Sequence, residues 1–340
     1  MPKTAAAPQE RAAVTIEDID AAAERIAGRV RRTALTPSPS LSERSGAEIR
    51  LKLEHQQITG SFKLRGATNA LLSLDEAARA RGVVAVSTGN HGRALAHAAQ
   101  AEGAPCHICL SSLVPANKVE AIKALGATVH IAGVSQDEAE AHALRLAEER
   151  GLTAISPFDD ARVIAGQGTL GLELAEQFPE IETALIPLSG GGLLSGVALA
   201  LKARRGGAVR VIGVSQERGP AMAESLKAGA PVEVEELPTL ADSLGGGVGL
   251  PNRLTFALVR SLMDELILVS EAEIAAGIRH AYWAERQVIE GGAAVGIAAL
   301  LSGKAAPRGP TAVLTCGQNI DMALHHRIIS GEDVDLMRVR

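Results

Sequence analysis

Residues 182–215, ETALIPLSGGGLLSGVALALKARRGGAVRVIGVS, decide the fold. The apolar run from Thr183 to Leu188 has the length of a buried strand. Ser189-Gly190-Gly191-Gly192 then turns the chain, the stretch from Leu193 to Arg204 suits a helix, and Val209 to Ser215 is a second short apolar run. Strand, glycine turn, helix and strand at this spacing predict a parallel sheet with helices packed on it. Working outwards, the same alternation recurs. GVVAVST (82–88), GNHGRALAHAAQAEG (89–103), APCHICLS (104–111), PANKVEAIKALG (115–126) and ATVHIAG (127–133) read as strand, helix, strand, helix, strand, with a further helix from about Gln136 to Glu149. A first helix is expected from Thr15 to Val30, with acids early and Arg late as the helix dipole prefers. EIRLKLEH (48–55) alternates like a strand. SEAEIAAGIRHAYWAERQVI (270–289) opens with a Ser cap and a Glu three residues on, and TAVLTCGQNID (311–321) is a last strand and turn. The two series predict an α/β protein of two doubly wound parallel-sheet domains, in which ligands bind where strand carboxyl ends meet helix starts.

Composition narrows the function. A chain of 340 residues is long enough for two domains sharing a large core. Only 2% of it is aromatic, its net charge is −5 and its basic residues are scattered, which excludes a nucleic-acid surface. No apolar run approaches the roughly 20 residues a bilayer needs, and no basic-then-apolar start marks a secretory signal, so no membrane partner and a cytoplasmic location are expected. Cys106 and Cys109 form C-x-x-C, but on a strand residues three apart face opposite ways, so they are expected to be buried, unbridged thiols.

Four strand ends gather small and polar residues: Ser61–Arg65, Ser87–Gly92, Ser189–Gly196 and Thr315–Asp321. Consecutive glycines at a helix start let backbone N–H groups approach an anion, so Ser189–Gly196 wants a phosphate. Its spacing is poor for a dinucleotide turn, and no Lys-Ser/Thr follows to make a P-loop. Lys63, walled by Phe62 and Leu64, is costly to keep charged. Burial lowers its pKa and makes a nucleophilic amine suited to a Schiff base. An amine of that kind beside a phosphate cup asks for a cofactor carrying both an aldehyde and a phosphate, namely pyridoxal 5'-phosphate.

SFKLRGA, STGNHGRALA, GQGTLGLEL, SGGGLLSG, PTLADSL and CGQNID stand in the order and spacing of the serine/threonine dehydratase family. The chain resembles that family of tryptophan-synthase-β-like, fold-type II pyridoxal-phosphate enzymes from about residue 15 to 325. LEHQQITGSFKLRGATNA, VPANKVE and LADSLGGG look closest to the hydroxyectoine utilisation dehydratases. The resemblance implies a large domain of residues 1–75 plus 161–340, and a small domain of residues 76–160 that carries the substrate turn. It makes Lys63 the Schiff-base lysine and the base for the substrate Cα proton, with Phe62 against one face of the pyridine ring. Gly190, Gly191, Gly192 and Leu193 would hold the phosphate, and Asn90 the ring hydroxyl. Ser87, Asn90 and His91 would receive the substrate, with Ser87 and Thr88 beside the reacting atoms. Cys316 falls opposite the pyridine nitrogen, where a neutral thiol leaves a weak electron sink. Glu290 matches a Glu near the cofactor. The implied reaction is loss of water from a small β-hydroxy amino acid, giving a 2-oxo acid and ammonia, by a homodimer or homotetramer.

The sequence departs from its relatives in ways that shape the expectation. Thr88 stands where serine racemases carry Ser, which argues against racemisation. Gln216 and Met222 stand where divalent-cation ligands would be, so that metal site is expected to be absent. Ser243 replaces a Gly after Ala241-Asp242, and Gln318 a Gly beside Cys316. The 24 residues after Cys316 cannot build the effector domain of biosynthetic threonine deaminases, which implies a catabolic, feedback-insensitive enzyme. Competing readings are a nicotinamide oxidoreductase using Ser189–Gly196, a pyridoxal-phosphate β-replacement enzyme or amino-acid racemase, and a non-catalytic cofactor-binding regulator.

Overall fold

The computed structural model describes residues 14–337 apart from 88, 113 and 115, with the side chains of 116–118, 136 and 137 also outside the description. Ten strands form two sheets: β1 (Leu35–Pro37), β2 (Ile49–Lys52), β3 (Val83–Val86), β4 (Cys106–Leu110), β5 (Thr128–Ile131), β6 (Thr153–Ala154), β7 (Thr183–Pro187), β8 (Arg210–Gln216), β9 (Glu265–Val269) and β10 (Thr311–Leu314). The larger sheet has the order β1-β2-β10-β7-β8-β9, and the smaller β5-β4-β3-β6. All pairs are parallel except the edge pair β1–β2. The opening stretch sits where the sequence demands: β7 pairs with β8 in the register Leu185 to Ile212, and both strands are buried on both faces, as parallel strands under helices must be.

The C-terminal strand is the element that sequence order does not place. β10 inserts between β2 and β7, with Val313 opposite both Leu51 and Leu185. That insertion brings the turn after β10 against the chain after β2. The first helix, Ile16–Ile26, is shorter than its pattern suggests: Ala27 leaves helical geometry and Gly28 takes a left-handed φ of 77°. Cys106 packs in the cluster of Val83 and Ile108, whereas Cys109 packs with Val84 and Leu146, so the two unbridged thiols do lie on opposite faces of the small sheet.

The helix Lys63–Leu72 precedes the small sheet in sequence but buries Leu64, Ala67, Ala70 and Leu71 in that sheet's core. It crosses the helix Ala161–Gln177 at backbone contact: a Cβ on Gly166 would fall 2.6 Å from the Arg65 carbonyl oxygen. The same central helix meets Gly192–Arg204 equally closely, since a Cβ on Gly171 would lie 2.7 Å from the Val197 carbonyl. One helix thus sets the spacing between the lysine helix and the glycine-turn helix.

A buried charge network locks this crossing. Arg65 grips Glu54 through Nε (2.9 Å) and Nη2 (2.8 Å), and also donates to Glu173, Thr169 and the Arg31 carbonyl. Lys52 donates to Glu173 (2.6 Å), Gln177 and the Thr33 carbonyl. Two cations meet two anions, and the five guanidinium and three ammonium hydrogens all find acceptors, as burial requires.

Candidate active site

The turn after β10 zips against the chain before the lysine helix. Phe62 N–H donates to the Cys316 carbonyl (3.0 Å), Gln318 N–H to the Gly60 carbonyl (2.9 Å), and Ser61 bridges to Gly317. Lys63, first residue of its helix, is thereby delivered to Cys316. By area its side chain is half-buried, but its amine is enclosed by protein, and Nζ donates to the Pro157 carbonyl at 2.7 Å. Burial pulls its pKa down to about 8, against the opposing pull of Cys316 and Glu290. Burial also pushes the Cys316 thiol well above its usual range, so it is neutral.

Glu290 is buried at the start of the helix Gly291–Leu301. Burial and the neighbouring Asp242 raise its pKa to about 7, while hydrogen bonds from Ser243, Asn90 and Asn319 hold it from rising further. Asn90 heads the helix Asn90–Ala101; its Nδ2 donates to Glu290 Oε1 (2.8 Å) and its Oδ1 accepts from Asn319 Nδ2 (2.6 Å). Ser87 follows β3, where its Oγ accepts from Gly89 N–H at 3.3 Å. Thr88 lies outside the described residues. His91 is buried, and burial together with Lys63 drives its pKa down to about 3. Its Nε2 faces the Ile155 carbonyl at 3.2 Å, which can only accept, so Nε2 carries the proton and Nδ1 is a bare acceptor. In that tautomer the Nδ1 edge of the ring cannot donate a hydrogen bond, and Nδ1 has no partner among the described residues.

In the glycine turn, Gly191 takes φ 89°, a left-handed conformation that favours glycine, and caps the helix Gly192–Arg204. Phe158 covers this turn: a Cβ on Gly190 would meet its ring at 2.5 Å, and one on Gly192 its Cα at 2.9 Å. Leu193 is buried behind the turn. Pro157 holds the lysine amine and Phe158 lies on the glycines, so adjacent residues tie the amine to the glycine turn. Asp159 continues the staple by accepting from Arg253, Leu254 and Thr255 N–H.

Lys63, Phe62, Asn90, His91, Glu290 and Cys316 therefore converge on one site, with the glycine turn joined through Pro157–Phe158. Pro157 and Phe158 escape sequence reading, which reaches Asn319 only as a member of the polar stretch Thr315–Asp321. The one available signal was Phe158 itself, one of four phenylalanines in the chain. The residues fit an aldehyde-bearing phosphate: a desolvated amine, a turn whose Cβ space is already filled, helix-start amides, a neutral thiol, and an orphaned buried acceptor at His91 Nδ1. Gln216 and Met222 are both buried; Gln216 Nε2 donates to the Leu244 carbonyl at 3.2 Å. Among the described residues, no three His, Cys, Asp or Glu side chains gather in a way that could hold a metal ion.

Known proteins share this arrangement of chain. The model of pyridoxal-phosphate-dependent enzymes matches residues 26–317. A Sinorhizobium fredii protein to which threonine dehydratase activity is provisionally ascribed is 58% identical, over 94% of this chain and 96% of that protein. The L-threonine ammonia-lyase of Thermotoga maritima is 44% identical over 93% of this chain and 78% of that one. Among solved structures, maize serine racemase superposes with a TM-score of 0.87 at 35% identity, covering 94% of this chain and 97% of the racemase. An enclosed lysine amine facing a neutral thiol, with a helix-start glycine cup stapled beside it, is thus found in a chain that belongs to the pyridoxal-phosphate-dependent enzyme family, with the fold of its type II members.

Proposed function

We propose that the chain is a pyridoxal-phosphate-dependent ammonia-lyase that removes water from a small β-hydroxy amino acid and releases a 2-oxo acid and ammonia. The observation that carries this reading is the Lys63 amine, with a pKa of about 8, set against the neutral Cys316 thiol. When bound, the cofactor supplies an electron sink that acidifies the substrate Cα–H bond and lets the β-hydroxyl depart. Lys63 Nζ is the base for that proton, because a useful fraction of it is neutral near pH 7–8. Pro157 O aims the amine, and the lysine helix, braced on its central partner, keeps it from swinging away. Gly190–Leu193 would hold the phosphate and Asn90 the ring oxygen. Cys316 would face the ring nitrogen without charging it, which favours prompt elimination over slower exchange at the cofactor. The amides from Ser87 to His91 bind the substrate carboxylate, and Thr88 stands among them in sequence.

Threonine and serine are the first substrates to expect, given the relatives' names. A hydroxyectoine-derived hydroxy-diamino acid is the pathway-specific candidate, on the resemblance of LEHQQITGSFKLRGATNA and LADSLGGG. The small sheet lies within the proposed small domain of residues 76–160, with the helix Lys63–Leu72 of the proposed large domain packed in its core, and the enzyme would act as a cytoplasmic homodimer or homotetramer. A panel of serine, threonine, 3-hydroxyaspartate and the hydroxy-diamino acid, followed by 2-oxo acid and ammonia, tests the reading. Release of both products in equal amounts, lost in Lys63→Ala, is expected; no product from any member overturns it.

A further inference from the structure

Asn90 can serve the cofactor's ring oxygen only if its amide hydrogens point inward. An amide side chain has two nearly equivalent orientations, so something must choose. The neighbours of Asn319 make that choice step by step. Arg93 Nη1, which can only donate, faces Asn319 Oδ1 at 3.2 Å. The Thr59 carbonyl, which can only accept, faces Asn319 Nδ2 at 3.0 Å. Both contacts demand the same orientation of Asn319, with its two amide hydrogens committed to Thr59 O and to Asn90. The Asn90 atom that meets Asn319 at 2.6 Å must then be the acceptor Oδ1, which turns Asn90 Nδ2 inward. There one hydrogen reaches Glu290 Oε1 at 2.8 Å, which leaves the second to serve the cofactor. Asn319 also pins the carboxylate, since its backbone N–H donates to Glu290 Oε2 at 3.1 Å.

We infer that Asn319 is a positioning residue, oriented by Arg93, that fixes the Asn90 amide as a donor toward the cofactor. This rests on the reading of the site as a pyridoxal-phosphate site and adds two residues that would act through Asn90 rather than on the cofactor itself. Asn319→Asp is nearly isosteric but cannot donate. Its new carboxylate would draw the Asn90 amide hydrogens outward and leave Oδ1 facing the site. A donor to an ionised oxygen favours the ionised form, so its loss raises the pH at which that form appears.

The test uses the full chain loaded with pyridoxal phosphate and no substrate. Visible absorbance is titrated with pH, cofactor affinity is measured by equilibrium dialysis, and thermal melting checks the fold. In Asn319→Asp the midpoint of the visible band should move upward by about one unit, and the cofactor should bind roughly tenfold more weakly, as loss of one hydrogen bond to a charged group implies. Arg93→Met should shift the midpoint in the same direction by less, while Arg93→Lys, which still donates, should stay near wild type. If Asn319→Asp does not fold, the Arg93 pair decides. Folded variants with the wild-type midpoint and affinity overturn the positioning role and leave the function standing. A wild-type chain that takes up no cofactor overturns both.

Discussion

At the scale of single residues, the site works by withholding charge. A lysine becomes a base near neutral pH only if its proton is made costly, and here burial rather than a neighbouring cation does it. Cys316 is neutral because its thiolate is unaffordable in the same enclosure, and His91 because its imidazolium would face both burial and Lys63. In cofactor-free protein, the Lys63 amine should therefore react with an arylating reagent along a titration centred near 8. Peptide mapping across pH checks this, and a midpoint near the ordinary 10.5 would contradict it. Glu290 pulls the other way by stabilising the ammonium, so Glu290→Gln should lower that midpoint further. Lys63 and the glycine turn were legible in the sequence because each carries its chemistry within a few consecutive residues. Pro157 and the partner of Asn319 were not: the contacts with Lys63 and Asn90 span 94 and 229 residues, and although Asn319 stands in the polar stretch Thr315–Asp321, nothing local says which residue it meets.

At the scale of elements, the helix Ala161–Gln177 governs the distance between the amine and the glycine turn. Its glycines allow two other helices to touch its backbone, so widening one contact should move the amine relative to the cup. Gly166→Val would drive a side chain into the Arg65 carbonyl, within the first turn of the helix that Lys63 starts. Overpacking of this kind costs about 1–3 kcal/mol. A urea melt should show that loss, and turnover should fall more than stability alone explains. The buried ions beside it make a separate prediction. Burial alone would raise the Glu54 pKa, but Arg65, Lys52 and Thr33 outweigh it and leave Glu54 ionised. Glu54→Gln leaves Arg65 with one carboxylate in place of two, and breaking a buried pair costs about 3–5 kcal/mol. The same denaturation measurement checks it. Glu54 and Arg65 were visible in the sequence only as the charges of a strand end and a helix start. Their pairing closes across eleven residues and is completed by Glu173 of the central helix, 108 residues beyond Arg65, which no period in the sequence announces.

At the scale of the whole molecule, alternating short strands and helices gave away both sheets, since parallel strands buried on both faces need continuous apolar runs. Their partners across the fold were hidden, as the lysine helix shows by filling the core of a sheet that follows it in sequence. A histidine group on the small sheet is hidden in the same way and ties stability to pH. His107 on β4 and His130 on β5 share a hydrogen bond, Nδ1 to Nε2 at 2.9 Å, so one proton sits between two rings. His142, from the helix Gln136–Arg150 that covers this face, lies 5.8 Å from His130 between ring centroids. Arg150 of that helix acts on both strand histidines, and β3 brings only Val84 and Val86 to the cluster that the helix packs against. Every charge named here is positive or becomes so in acid. Burial first, and then the neighbouring cations, depress the pKa of His107 and His130 below 6.5. A folded state that refuses protons which the unfolded chain accepts loses stability as pH falls. The loss should begin as pH drops through about 6.5, where the unfolded imidazoles titrate, and accumulate down to the lower pKa values of the folded chain. The thermal midpoint of the wild type should thus fall more steeply between pH 7 and 5 than that of His130→Gln, in which the middle ring of the group can no longer charge. Because β3 carries the Ser87–His91 turn, activity should decline over the same interval. Parallel midpoint curves for the two proteins would show that the histidines tolerate their protons, and that acid acts elsewhere.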